Sequence, residues 1–200
     1  MYRLAPEISP ERLSETLPVM AVLSVMYSQS RLVAYPFVLG IEVESPSAKF
    51  EIDVFTVLEG SSRPIAIVGE VKSFRDDINA EDVWHLTTLQ KVLRDKGIDC
   101  YILAAMLKDT LTEETVAALR SACEASPESL GQQILPVFPI VLTGMNLSVP
   151  ELHDDHPGRW HKAGNGLSAI AVESCRRNIG LVDVDFEPRD DGYGWSTRWS

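Results

Sequence analysis

Two strand-like stretches of this 200-residue chain carry the charged residues best placed to do chemistry: Asp53 within residues 49–58, and Glu70 and Lys72 at the end of the otherwise apolar run 65–72. Both stretches read as β-strands, and the segment between them, Glu59-Gly60-Ser61-Ser62-Arg63-Pro64, is rich in turn residues. Together they predict an antiparallel hairpin. Pairing Leu58 with Ile65 sets Asp53 opposite Glu70, and opposed residues share a face with Cβ atoms about 5 Å apart. Lys72, two residues beyond Glu70, points the same way. Two facing carboxylates destabilise a hairpin unless a cation stands between them. A divalent metal ion with the lysine beside it meets that demand. The plainer alternative is that Glu70 and Lys72 mark the solvated end of a strand, while Asp53 pairs with a nearby base.

The chemistry open to such a cluster is narrow. Hard oxygen ligands suit Mg²⁺, which takes one or two carboxylates and keeps several waters. A metal-bound water is acidified and can attack a phosphodiester in line. An ammonium beside the scissile phosphate stabilises the negative charge that develops there.

The rest of the chain supplies elements to hold these groups. Ser9-Pro10-Glu11 reads as a helix start, and Leu13, Leu17, Met20 and Ala21 give that helix an apolar face, with Pro18 kinking or restarting it. Residues 32–44 predict a strand that Pro36 assigns to a sheet edge. Beyond the polar stretch 73–79, the face Val83, Leu86, Gln90 and Leu93 predicts a helix over residues 80–96, stopped by Gly97. The apolar run 100–107 is a buried strand, and strand, helix and strand in that order favour a parallel neighbour. Thr112-Glu113-Glu114 opens another helix to about residue 125, and residues 134–142, with Pro136 and Pro139, predict a last strand at the sheet edge. Residues 146–166 read as irregular, with a short helix over 167–178. The tail from Leu181 carries five acids against two arginines, a composition that argues for disorder. The expected class is α/β: a mixed central sheet flanked by helices over residues 1–145, with an irregular and helical C-terminal extension over 146–200.

Composition bounds the partners. Hydrophobic content of 45% and charged content of 24% are those of a soluble globular domain, and no apolar run reaches the length of a membrane span. Three widely spaced cysteines, Cys100, Cys123 and Cys175, suggest reduced thiols in a cytoplasmic protein. A net charge of −11 argues against strong unaided grip on DNA, although local field matters more than the total. A homodimer or a larger protein assembly would supply what this chain lacks. Walker-type and dinucleotide-binding loops are absent from the sequence, and its serines lack a nucleophile-elbow context.

The order helix, strand, strand with Asp, strand with Glu-x-Lys, helix, strand resembles the PD-(D/E)XK nuclease superfamily, whose fold is called restriction-endonuclease-like. The carrying residues are Ile52-Asp53-Val54 and, seventeen positions on from Asp53, Gly69-Glu70-Val71-Lys72-Ser73, within a resemblance that spans about residues 11 to 107. It implies Mg²⁺, with Mn²⁺ as a substitute, held by Asp53, Glu70 and the main-chain carbonyl of Val71. Lys72 would then orient or help deprotonate the attacking water. Some branches carry a glutamine on the following helix, which makes Gln90 a further catalytic candidate; a buried glutamine bonded to a backbone carbonyl is the alternative. Thr87 invites the same question but more often such a residue packs. Glu15 and Glu44 compete for the extra acid some members use. The cluster His153, Asp154, Asp155, His156 and His161 matches no compact metal motif and reads as a polar loop. Trp160, Trp195 and Trp199 offer stacking faces or loop anchors.

The function expected is a metal-dependent nuclease acting on DNA. Its rival is a non-catalytic interaction module of the same fold, or a subunit of a larger assembly. An RNA-directed hydrolase is a third option, because the motif does not discriminate between sugars.

Overall fold

Alternation and continuity of apolar residues decide the strands. In a computed structural model that describes residues 10–30, 37–44, 49–58, 64–124, 138–148, 167–189 and 192–200, strand β2 (Lys49–Leu58) buries its even-numbered residues from Phe50 to Leu58. Strands β3 (Ile65–Lys72) and β4 (Asp99–Met106) are buried almost throughout, as expected of central strands covered on both faces. With β1 (Val38–Glu44) and the short β5 (Ile140–Leu142) they form one sheet in the order β1-β2-β3-β4-β5. The first three strands are antiparallel and the last three parallel, so the sheet is mixed. The hairpin register is the expected one, with Leu58 opposite Ile65.

Helices cover the sheet in two groups. Helix α2 (Ala80–Asp95) packs on β3 and β4 and against α3 (Glu113–Glu124). Helix α1 (Pro10–Ser30) runs through Pro18 as one element and meets β3, α4 (Gly144–Ser148) and α5 (Leu167–Asn178). Among the described residues no helix is long and apolar enough to cross a membrane. The core is continuous across these layers, from Val22 and Met26 of α1 through Ile67, Ile102 and Ile140 of the sheet to Leu86 and Leu119.

The helix expected over residues 167–178 is present as α5, and it packs into the main core rather than standing apart from it. Helix α5 places Ile170, Ala171 and Cys175 in the same core, and its Ser174 hydroxyl accepts the Val141 N–H at 2.9 Å. The Asn178 amide donates to the Val141 carbonyl at 2.7 Å, so α5 satisfies a strand that would otherwise be a sheet edge. The acidic tail is a two-stranded hairpin, β6 (Leu181–Arg189) with β7 (Gly192–Trp199). Its apolar–polar alternation, Val182-Asp183-Val184-Asp185-Phe186-Glu187, outweighs its charge.

Candidate active site

The sheet forks. Strands β2 and β3 pair from Leu58↔Ile65 to Val54↔Gly69 and there they part. Beyond that point β2 continues with β1 as far as Lys49, whereas β3 continues with β4 as far as Lys72. Asp53 stands on one prong of the fork and Glu70, Val71 and Lys72 on the other. Opposite Asp53 on its far side, between the pairs Leu39↔Val54 and Ile41↔Ile52, lies Gly40 with φ of +61°.

Divergence leaves backbone groups of β3 without a strand partner on that side, and a side chain takes one of them up. The Val71 N–H donates to Asp53 Oδ2 at 2.7 Å across the fork. In extended backbone the amide and carbonyl of one residue point to the same side, so the Val71 carbonyl faces the same mouth as its N–H. The Lys72 carbonyl points the other way and accepts the Leu107 N–H at 3.1 Å. Two carboxylates and one carbonyl therefore converge on the gap, as hard oxygen donors.

Lys72 is held between two acids. Its ammonium pairs with Glu70 Oε1 on its own strand and lies 3.3 Å from Asp82 Oδ1 in the first turn of α2. Glu70 and Asp82 side chains are 14% exposed and Lys72 22%, so these are neither free surface charges nor fully dry ones. Asp82 is a member that the sequence reading missed. Its only sequence mark is the pattern Asn79-x-x-Asp82, a helix-capping box, and the structure contains that box. Asn79 Oδ1 accepts from the N–H groups of Glu81 and Asp82 at 2.8 and 3.0 Å, while Asp82 Oδ2 accepts the Asn79 N–H at 2.9 Å. One turn on, His85 stacks on Phe50 of β2 with ring centroids 4.3 Å apart, which ties α2 to the Asp53 prong.

Electrostatics follow from three acids sharing one ammonium. Burial, then the charge of Asp53, pushes the Glu70 carboxyl up to about 7, against the pull of Lys72. Burial also raises Asp53, opposed by the Val71 N–H and by Lys72 and reinforced by Glu51 and Asp82. Burial pulls Lys72 down, but the Glu70 bond and the charges of Glu70 and Asp82 outweigh it and leave its ammonium above the usual range. With all three acids ionised the cluster carries two uncompensated negative charges, and a proton on Glu70 or a divalent cation would relieve them. Among the described residues no group of three or more His, Cys, Asp or Glu forms a metal cage. Asp53, Glu70 and the Val71 carbonyl still fit Mg²⁺, an ion that is content with one or two carboxylates and waters.

Gln90 does not join this group. Its amide donates to the Cys100 carbonyl at 2.7 Å in the buried core. Cys100 pairs with Ala66, four residues back from Glu70 along β3, or about 13 Å at the ~3.3 Å rise of a strand. Its polar head fastens α2 to β4, the alternative named above. Thr87 likewise bonds its own helix, to the Val83 and Trp84 carbonyls at 3.0 Å each. Glu44 is exposed at the end of β1, opposite Lys49. The Glu15 side chain, the cluster 153–161 with Trp160, and the Trp195 side chain lie outside the described residues. Trp199 sits beneath Arg120, whose guanidinium is 5.4 Å from its ring centre, in an anchoring role. Compared with family models, curated proteins and solved structures, the chain matches none of them.

Proposed function

We propose that this chain is a divalent-metal-dependent nuclease that hydrolyses phosphodiester bonds, with DNA as its substrate. The observation that carries the reading is the forked sheet. It brings Asp53, Glu70 and the Val71 carbonyl to one mouth and sets the Lys72 ammonium beside them. Mg²⁺, or Mn²⁺ in its place, would supply an acidified water and charge compensation at the phosphate. Asp53 and Glu70 would be its carboxylate ligands. Lys72 orients the attacking water and offsets the charge that builds on the phosphoryl oxygens. Affinity for a polyanion is a difficulty for an acidic protein. Phe74, two residues past Lys72 and 70% exposed, and Trp84, two past Asp82 and 50% exposed, offer stacking faces that need no positive field.

The test is cleavage of plasmid and single-stranded DNA with Mg²⁺ or Mn²⁺. Asp53→Ala and Lys72→Ala should each cut at least about a hundredfold more slowly, the typical weight of a group acting on the transition state. Wild-type protein that cuts nothing, or variants that cut as well as wild type, would end the assignment.

One observation favours a second reading. Glu70 already has a cationic partner in Lys72, so the cluster has a complete ion pair of its own, as a non-catalytic interaction module of this architecture would. Calorimetric titration with Mn²⁺ separates the two. A working site binds the ion and loses affinity on Glu70→Gln, whereas a module gives little heat with either protein.

A further inference from the structure

We infer that Asp82 is the positioning residue for Lys72, the acid that holds its ammonium in place at the mouth when Glu70 is otherwise engaged. This deepens the nuclease reading and rests on it. Lysine is a compact charge on a flexible four-carbon stem, and it has no built-in orientation. Here two carboxylates from two different elements fix it, Glu70 from the same strand and Asp82 from α2. Any role for Glu70 as a ligand sets a second cation in competition with Lys72 for the same oxygens. Asp82 has no such conflict, because its other oxygen is taken up by the Asn79 backbone N–H at 2.9 Å.

Asp82 is also braced from behind. The Ile78 carbonyl, in the segment leading into α2, accepts the Thr115 hydroxyl of α3, and Ile78 itself is buried. Lys108, after β4, pairs with Asp77 at 2.8 Å. The segment from Ser73 to Asn79 is thus fastened to two neighbouring elements, and the α2 N-terminus presents Asp82 to Lys72 from a fixed base. A helix cap alone would need only one carboxylate oxygen. The other faces the lysine.

Two variants of the full chain separate positioning from capping. Asp82→Asn keeps an oxygen for the Asn79 N–H but removes the charge from Lys72. Asn79→Ala removes the side-chain cap but leaves the backbone N–H and the Asp82 carboxylate in place. Three quantities are read: kcat and KM on DNA with Mg²⁺, Tm, and the rate at which Lys72 is reductively methylated without metal, followed by mass spectrometry. Asp82→Asn should lower kcat about tenfold, the weight of one charge-assisted bond, with KM nearly unchanged. Its Lys72 should be methylated several-fold faster, while Tm moves little. Asn79→Ala should lower Tm but leave kcat and Lys72 labelling at wild-type values. Wild-type labelling of Lys72 in Asp82→Asn overturns the inference, as does an Asn79→Ala variant that matches Asp82→Asn in kcat. If the wild type cuts no DNA, the nuclease reading falls by itself, and the labelling comparison still decides whether Asp82 holds Lys72.

Discussion

At the scale of single residues, Glu70 carries the sharpest consequence. Its carboxyl is raised from 4.5 to about 7, so between those values the folded chain holds a proton that the unfolded chain has released. The contribution of this group to stability is then full below pH 4.5 and is lost as pH rises toward 7, by on the order of 3 kcal/mol at ~1.4 kcal/mol per unit. Asp53, also raised, acts in the same direction. The raised Lys72 ammonium contributes stability that is lost only in strongly alkaline solution. Chemical denaturation at several pH values should show the midpoint falling between about pH 5 and 7, and Glu70→Gln should flatten that slope. Divalent-ion affinity should rise over the same range, because the ion competes with the Glu70 proton; titration calorimetry at pH 6 and 8 checks it. The grouping of Asp53, Glu70 and Lys72 was legible because a strand repeats every two residues and the hairpin register points Asp53 toward Glu70, although the strands part at Val54↔Gly69 before those two pair. Asp82 was not, since no periodicity describes how residues 73–79 bring the chain back over Lys72. The role of Gln90 was read from its position on an apolar face, a feature shared by ligands and by core residues bonded to a carbonyl.

At the scale of elements, the hairpin, the central strands and α2 follow from patterns of burial and from the Asn79 cap. The fork does not follow from them. Apolar alternation continues along β2 past the point where it leaves β3, so the sequence marks no parting between Val54 and Asp53. The one local sign is Gly40, whose φ of +61° lies in the left-handed region that favours glycine. A Cβ there would also come within 3.2 Å of the Glu51 carboxylate. Gly40→Ala should therefore destabilise the protein by about 1 kcal/mol or more, measured by urea unfolding. Because Gly40 lies level with Asp53, the same variant should also weaken Mn²⁺ binding in calorimetry.

At the scale of the whole molecule, composition misjudged the C-terminal tail. Residues 181–200 hold five acids, yet a strict alternation within them folds as a hairpin, with Asp183 and Arg198 paired across it at 3.2 Å. Helix α5 had an amphipathic face in plain sight, but that this face completes the main core depends on β5, too short to announce its partners. The three cysteines show how complete that core is. All are buried, and burial pushes the Cys100 thiol up to about 12 and raises Cys175 well above its usual value. A thiol reagent such as iodoacetamide should leave all three unmodified in the native protein at pH 7.5 and react with them in full after denaturation.

The parting of β2 from β3 splits one end of the sheet into an antiparallel wing and a parallel body, with the two acids of the proposed metal site on opposite sides of the seam. Any change in the angle between wing and body alters the spacing of those acids, and the Asp53–Val71 hydrogen bond is the stitch across it. The Val71 amide is consequently a built-in gauge. Its deuterium uptake reads, residue by residue, how often the seam gapes, with no substrate and no assay of cleavage.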